Sequence, residues 1–260
     1  MNDRDLHMKI TFLGTGTSIG VPVITCDCPV CLSEDPRDKR LRTSVMLEIG
    51  QNTFVIDCGP DFRIQMLREK VNNLDAVIFT HEHRDHIAGL DDVRAFNYVL
   101  NKRIDIYGTQ QVMDAIVTEF PYIFAETRYF GAPQLTIHPI ENKPFRINDI
   151  EFIPIHCLHE KLPVMGYRIG DFTYITDASY ISGDELEKIK GSKVVVLNAL
   201  RNSKHVSHFS VGEAVEIIEK IQPEQAFLTH LSHFVGLHEE VNQKLPPFIK
   251  LAYDGLQVII

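Results

Sequence analysis

A chain of 260 residues, of which 44% are hydrophobic, is long enough to bury a full core, and its length favours one large α/β domain over residues 1–260. Twenty-six basic and 35 acidic side chains give a formal net charge of −9, which disfavours non-specific binding of a long nucleic acid. A small anionic substrate is compatible with this charge, because bound metal ions can reverse the potential inside a pocket.

The first residues, MNDRDLHMKI, carry mixed charges, and the apolar stretch ITFLG that follows is too short for the core of an export signal. No apolar run approaches the length that spans a membrane. We therefore predict a cytoplasmic protein without membrane association. In that reducing compartment, closely spaced cysteines indicate metal binding or catalysis more often than disulfides.

Short β-branched and aromatic runs bounded by turn residues predict the strands of the first half. Residues 20–42 lie among them, lack periodicity, and contain three cysteines and several prolines, so we predict a long loop that a zinc ion orders. The predicted strands are Ile10–Leu13, Ser44–Ile49, Thr53–Ile56 and Ala76–Phe79.

The middle of the chain combines a helix with an aromatic segment. A helix is predicted around Gln110–Phe120, and a proline-interrupted segment runs from Phe120 to Pro133. Its aromatic side chains could cover a pocket and stack a base, but such clusters more often belong to a core, so we predict that they pack against the sheet. They are Phe120, Tyr122, Phe124, Tyr129 and Phe130.

The second half repeats the strand-rich pattern and adds two helices. A capping box of Ser210 and Glu213 predicts where the second helix begins. Two strand-rich halves with peripheral helices predict an α/β (α+β) protein built as a four-layer αββα sandwich. The predicted strands are Ile150–Ile155, Gly166–Ile169, Phe172–Thr176, Val194–Asn198 and Ala226–Thr229, and the helices are Gly183–Ile189 and Val211–Ile221.

The motif His81-x-His83-x-Asp85-His86 places four potential metal ligands within six residues, directly after the strand that ends at Phe79. A loop that leaves a strand and turns into a helix can aim His81 and His83 at one ion, and Asp85 and His86 at its neighbour. Imidazole and carboxylate groups suit zinc, with manganese or iron as alternatives, because no thiolate excludes the harder ions. We predict two catalytic divalent ions, zinc or manganese.

This pattern resembles the signature of the metallo-β-lactamase superfamily. The resemblance implies three later ligands: a histidine after a mid-chain strand, a bridging aspartate and a last histidine near the C-terminus. Asp177 and His230 match the second and third. His156 and His159 both compete for the first, and His159 is preferred because it is expected just past the strand, in a loop, whereas His156 is expected within the strand.

Asp57 resembles the superfamily's buried aspartate at a strand end, which orients the metal loop through hydrogen bonds without binding the ions. Cys58 and Cys157 are interpreted as small buried residues rather than nucleophiles, because nothing near them in sequence would lower their pKa.

Cys26, Cys28 and Cys31 place three thiols within six residues of the long loop. A structural zinc site is closed by four such ligands, and the fourth is absent locally. His233 is the candidate, because it follows the same strand end as His230 and, three residues further on, can reach a neighbouring loop. We therefore predict one structural zinc ion.

A Cys-x-Cys-x-x-Cys loop together with a late His-x-x-His resembles the PhnP-type subgroup, the cyclic-phosphate phosphodiesterases of carbon–phosphorus lyase pathways. The resemblance implies hydrolysis of a small phosphodiester, including cyclic ones, by a metal-activated hydroxide. Asp85 and His208 are the predicted catalytic residues, with His208 as general acid and His205 as the competing candidate. Superfamily relatives are often dimers, so a homodimer is a possible assembly.

Other reactions fit the same ligands. A tRNA-processing endonuclease would need a basic RNA-clamping arm, and no Lys- or Gly-rich insertion is present. Lactone and other acyl hydrolases of this fold lack the cysteine loop. A non-catalytic, metal-dependent binding protein would be expected to have a degenerate ligand set, and here every expected ligand has a candidate.

Overall fold

The computed structural model describes residues 7–127 and 129–260. Residues 1–6, on which part of the export-signal prediction rests, and Arg128, in the aromatic segment, lie outside the described residues. Within the described residues the first sheet has seven strands. From one edge to the other they are β15 (Gln257–Ile259), β1 (Met8–Gly14), β2 (Ser44–Ile49), β3 (Asn52–Ile56), β4 (Ala76–Ile78), β5 (Ile104–Thr109) and β6 (Leu135–Ile140).

The second sheet begins at a two-residue edge strand, and four parallel strands extend from its middle to the opposite edge. Strands β10, β12, β13 and β14 are parallel to one another, as are β3 to β6 in the first sheet. In order, the strands are β11 (Tyr180–Ile181), β8 (Ile150–His159), β9 (Leu162–Ile169), β10 (Phe172–Ile175), β12 (Val194–Asn198), β13 (Gln225–Thr229) and β14 (Ile249–Leu251), with β7 (Phe145–Ile147) paired to β8.

Helices cover the outer face of each sheet. Helix α8 begins at the predicted capping box, in which Ser210 and Glu213 bond reciprocally. The helices are α1 (Pro29–Leu32), α2 (Phe62–Arg68), α3 (Arg84–Ile87), α4 (Arg94–Leu100), α5 (Gln110–Glu119), α6 (Pro121–Phe124), α7 (Gly183–Ile189), α8 (Val211–Ile221) and α9 (His238–Asn242).

Three apolar layers hold this arrangement together. Inward-facing side chains of the two sheets, such as Phe12, Phe54 and Phe152, meet in a central core, because alternate residues of a strand point to the same face. The outer faces bury Phe79 under the helices of the first sheet and Leu228 under those of the second. The predicted αββα sandwich is confirmed.

The structure corrects two local predictions. Strand β8 continues to His159 and pairs it with Leu162, so His159 is the last residue of a hairpin strand rather than a loop residue beyond it. In the aromatic segment, Phe120 and Tyr122 pack against the core, but Tyr129 is 53% and Phe130 is 98% exposed. Those two side chains therefore do not pack against the sheet.

Within residues 7–127 and 129–260, none of the helices is both long and apolar enough to span a bilayer.

A buried polar network ties the end of the cysteine-rich loop to the C-terminal segment. The guanidinium of Arg40 donates to Thr15 Oγ1 at 2.9 Å, to the Ala252 carbonyl at 2.6 Å and to Nδ1 of His238 at 3.2 Å. Thr15 in turn donates to the carboxylate of Asp254 at 2.8 Å. Because these partners are distant in sequence, the network fixes the loop on the sandwich.

Acidification is expected to remove stabilisation at His238. Its Nδ1 accepts from Arg40, which can only donate, and its Nε2 lies 2.8 Å from the side-chain amide of Asn242. Burial and the nearby arginines lower the pKa of His238 to about 4. The unfolded chain takes up this proton near pH 6.5, so the free energy of unfolding should fall by on the order of 3 kcal/mol between about pH 6.5 and 4.

Urea unfolding of wild type and His238→Gln at several pH values checks this expectation. The variant lacks the titrating ring and should be less stable than wild type at pH 7. The difference in unfolding free energy between the two proteins should narrow as the pH drops, because only wild type loses this stabilisation. A deficit that stays constant from pH 7 to 4 would contradict the assignment.

Candidate dinuclear metal centre and cysteine cluster

Three candidate site residues stand directly after strand ends in the left-handed region of the backbone. Asp57 follows β3 with φ 65°, Asp177 lies two residues past β10 with φ 56°, and His230 follows β13 with φ 55°. Non-glycine residues adopt this conformation at a cost, and in folded proteins it is concentrated at functional sites. Here it turns three side chains towards one edge of the sandwich.

The predicted metal loop, between β4 and helix α3, pairs its ligands as the spacing suggested. His81 Nε2 lies 3.0 Å from His83 Nδ1, and His86 Nε2 lies 3.3 Å from Asp85 Oδ2. Two ligand atoms on one tetrahedral zinc ion would be roughly 3.3 Å apart at ordinary bond lengths. Both pairs therefore have the separation that a shared ion requires.

The later ligands converge on the same place through Asp177. Its Oδ2 atom lies 3.3 Å from His86 Nε2 and 3.1 Å from His230 Nδ1, and its Oδ1 atom lies 3.1 Å from His208 Nε2. Ligand atoms of His81, His86 and Asp177 all fall within 4.8 Å of one another. Asp177 is thus placed to touch two neighbouring ions, as the family resemblance implied.

His159 joins this cluster from the hairpin. Its ring centroid is 5.1 Å from that of His83 and 4.5 Å from that of His208. Nδ1 lies 2.7 Å from the Ser207 carbonyl, to which it can only donate, so Nε2 is left as the lone-pair nitrogen available to an ion. His156, the competing candidate, lies within β8 as predicted, and its backbone amide donates to Glu185.

A metal ion fits this centre because one buried ring nitrogen, Nε2 of His86, lacks a hydrogen-bond partner among the described residues. His86 is fully buried, its Nδ1 bonds to Asp57 Oδ2 at 2.8 Å, and its Nε2 has no hydrogen-bond partner among the described residues. Buried polar atoms are rarely left unsatisfied. A mixed nitrogen and oxygen donor set around that atom suits zinc or manganese.

The charges of the centre also favour a cation. Although burial favours the neutral ring, the carboxylates of Asp177, Asp57 and Asp85 raise the pKa of His86 well above its ordinary value. Burial opposes ionisation of Asp177, yet the rings of His230 and His86 hold the pKa of that carboxyl well below its usual range. The Asp177 carboxylate therefore stays ionised, and divalent ions could neutralise it.

Asp57 occupies the supporting position that was predicted for it. Its carboxylate accepts from the Thr80 amide and hydroxyl, both at 2.8 Å, and bonds to His86. It thereby fixes the start of the metal loop and the orientation of one ligand. Cys58 and Cys157 are buried as predicted, and burial raises the pKa of both thiols, which keeps them unreactive.

Of the two candidate acids, His208 is the one whose ring reaches the cluster. Its Nε2 can donate to Asp177 Oδ1, while Nδ1 lies 3.0 Å from Ser207 Oγ and 3.4 Å from His205 Nδ1. Burial lowers the pKa of His208 to about 4, and the bond to Asp177 opposes this shift. His159, Asp177 and His208 also form a group that could hold an ion, so His208 has two chemical options.

The three loop cysteines and His233 come together as the sequence predicted. The sulfurs of Cys26, Cys28 and Cys31 lie 3.3, 3.4 and 3.4 Å from His233 Nδ1. Sulfur and nitrogen ligands of one tetrahedral zinc ion would be roughly 3.6 Å apart. The geometry therefore fits a closed Cys₃His site that joins the long loop to the segment after β13.

A family model of the beta-lactamase superfamily domain matches residues 52–231. The chain belongs to the metallo-β-lactamase superfamily. Within this superfamily it is PhnP-like, because the crystal structure of a diphosphatase from the PhnP family superposes on it with a TM-score of 0.90. That protein is 39% identical, and the match covers 96% of this chain and 97% of the other.

Two curated relatives of this superfamily member carry different names. An octanoyltransferase of Porphyromonas gingivalis is 40% identical over 257 residues, which is 97% of this chain but 52% of that protein. A ribonuclease Z of Nostoc punctiforme is 29% identical over 172 residues, or 63% of this chain and 47% of that protein. The chain spans about half the length of these relatives, so neither name defines its reaction.

The sequence did not reveal two residues that hold the candidate site through backbone groups. The Ser207 carbonyl orients His159, and Ser44 Oγ donates to the carbonyl of Asp57 at 2.8 Å. A backbone partner has no residue signature, which explains the first omission. The second had a weak signal, since Ser44 is a polar residue at the start of an apolar strand.

Proposed function

We propose that this protein is a dinuclear, metal-dependent hydrolase that cleaves a small phosphodiester, including cyclic ones. The observation that carries the proposal is the convergence of ligand atoms around Asp177 and the unpartnered Nε2 of His86. When bound, a pair of zinc or manganese ions would supply Lewis acidity and an activated water for attack on phosphorus. One further zinc ion would close the cysteine cluster.

The residues divide the work of such a site. His81, His83 and His159 would hold one ion, while His86 and His230 would hold the other beside Asp177. Asp85 lies at the exposed edge of this second group, where a carboxylate can orient the attacking water as well as bind an ion. His208 would hold a proton for the leaving oxygen at Nε2, which points at the cluster, in its imidazolium form, and its pKa of about 4 disfavours that form at neutral pH.

The cysteine cluster favours a phosphodiester over an acyl substrate, because it is shared with the resembled PhnP-type subgroup and not with lactone hydrolases. The similar crystal structure is that of a diphosphatase, which makes compounds with a diphosphate group a second candidate class. The net charge of −9 argues against a long nucleic acid as substrate. We also propose a cytoplasmic location and leave a homodimer as the assembly to test.

Activity profiling of the zinc- and manganese-reconstituted protein tests the proposal. The panel comprises bis-p-nitrophenyl phosphate, cyclic nucleotides, ribose cyclic phosphates, a nucleoside diphosphate ester and simple lactones. Turnover of a cyclic or simple diester well above that of the lactones is expected. A preference for lactones, or metal binding without turnover of any ester, would overturn the assignment.

His208→Ala is expected to separate the two options for that residue. As general acid, His208 matters when the leaving oxygen needs a proton, so alkyl diesters should lose on the order of 10²- to 10⁴-fold in kcat, and p-nitrophenyl esters far less. The metal content should stay at the wild-type value. Equal losses on both substrate types, accompanied by loss of an ion, would instead identify His208 as a ligand.

His205→Ala is the matched control for this comparison, because His205 lies beside His208 but does not contact Asp177. Its effect on both substrate types should be small. A larger leaving-group dependence for His205→Ala than for His208→Ala would reverse the assignment of the acid.

A further inference from the structure

Asn198 makes an unusual pair of contacts beside the metal centre. This fully buried residue ends β12, and its side-chain Oδ1 accepts from the Ala178 amide at 2.7 Å while its Nδ2 donates to the Ala178 carbonyl at 2.9 Å. The backbone amide and the backbone carbonyl of Ala178 are thus both held by the side chain of Asn198. Ala178 directly follows Asp177.

The position of β12 in the sheet explains why this contact matters. Strand β12 lies between β10 and β13, the strands whose ends lead to Asp177 and His230. The backbone ladder between β10 and β12 ends at the pair Ile175 and Leu197. Beyond that pair the chain turns through the left-handed residue Asp177, and the Asn198 amide replaces the missing ladder bonds.

The Ala178 carbonyl also accepts a hydrogen bond from the loop that carries His208 and Phe209. The amide of Phe209 also donates to the Ala178 carbonyl at 2.9 Å, and Leu200 bonds to the carbonyl of Phe209 at 3.0 Å. The residue before Phe209 is His208, whose Nε2 contacts Asp177. Asn198 therefore holds the peptide through which the strand end bearing Asp177 and the loop bearing His208 are joined.

We propose that Asn198 is a positioning residue that aims the Asp177 carboxylate at both ions, an inference that rests on the proposed dinuclear centre. Without its two hydrogen bonds, the Ala178 amide would be buried without its partner, and Asp177 could relax out of its left-handed conformation. The carboxylate would then lose its approach to His86 and His230. Residues that orient metal ligands in this way contribute strongly to metal affinity.

Asn97 provides a matched control remote from the centre. This buried residue also clamps backbone, since its Nδ2 donates to the carbonyls of Lys102 and Gln134, both at 2.9 Å, and its Oδ1 accepts from the Gln134 amide at 2.9 Å. Its partners precede β5 and β6, at the opposite end of the sheet from the metal loop. Loss of the side-chain hydrogen bonds of either asparagine should destabilise the fold, but only the loss at Asn198 should weaken metal binding.

The test compares Asn198→Leu and Asn97→Leu by Mn²⁺ titration and electron paramagnetic resonance of the full chain. Asn198→Leu should raise the dissociation constant for the Mn²⁺ pair by about tenfold or more and weaken its exchange-coupled signal, whereas Asn97→Leu should stay within about twofold of wild type. Thermal unfolding of the metal-free proteins should show similar losses for both. If Asn198→Leu does not fold, Asn198→Asp and Asn97→Asp replace the pair.

Equal Mn²⁺ affinities in the two variants would overturn the role of Asn198. A wild-type protein that binds the Mn²⁺ pair but hydrolyses no ester would overturn the proposed function and leave the positioning role standing. A wild-type protein that binds no pair would overturn both.

Discussion

Replacing Asp177 by Asn is expected to reduce kcat/KM for bis-p-nitrophenyl phosphate by on the order of 10³-fold, equivalent to about 4 kcal/mol of transition-state stabilisation. The carboxylate contacts His86, His208 and His230 through its two oxygens. An amide keeps the size but loses the charge that offsets repulsion between two neighbouring cations. The variant should bind one catalytic ion fewer than wild type.

Asp171→Asn is the control for this substitution. Asp171 precedes β10, at the opposite end of the strand from Asp177, and pairs with Lys193 at the surface. Metal content and turnover should be unchanged in that variant, because a surface ion pair contributes little. Wild-type metal content in Asp177→Asn would contradict the bridging role.

Substitution of Gly59 by Ala is expected to displace the metal loop. A Cβ atom built on Gly59 would lie 2.0 Å from the carbonyl oxygen of Asp85, and one built on Gly89 would lie 2.0 Å from the carbonyl oxygen of Gly59. The backbone of the metal loop therefore packs so closely against Gly59 that a side chain at this position would not fit. We expect a loss of about 2–3 kcal/mol in unfolding free energy, or roughly 5–10 °C in Tm, together with weaker binding of the ion near Asp85.

Gly183→Ala serves as the comparison. A Cβ on Gly183, the first residue of α7, meets nothing within 4 Å, so this variant should be as stable as wild type or slightly more so. Differential scanning calorimetry and metal analysis measure both effects. A Gly59→Ala protein with wild-type Tm and wild-type metal content would show that the loop is not held by this contact.

The sequence predicts most of the candidate metal centre because the proposed ligands stand at strand ends that are easy to recognise. Apolar runs such as Val194–Asn198 end abruptly at polar residues, and parallel strands bring such ends to one edge of a sheet. The cluster of His81, His83, Asp85 and His86 is local and needs no knowledge of the fold. His159, Asp177 and His230 required the family resemblance, since each alone also fits a cap or a core residue.

What the sequence could not predict depends on contacts between distant segments. Strand β5 is buried at every second residue but is only six residues long, and its partner β6 follows two intervening helices, so both strands escaped recognition. The end of β8 at His159 is set by its hairpin partner Leu162 rather than by a change in composition. Exposure of Phe130 is likewise a property of the folded surface, which an aromatic residue type does not report.

Crystallographic anomalous scattering from the manganese-loaded protein tests the central claim most directly. Two manganese peaks are expected, one on each side of the Asp177 carboxylate, with His81 and His83 on one and His86 and His230 on the other. A single peak at the cysteine cluster, or none beside Asp177, would contradict the dinuclear centre.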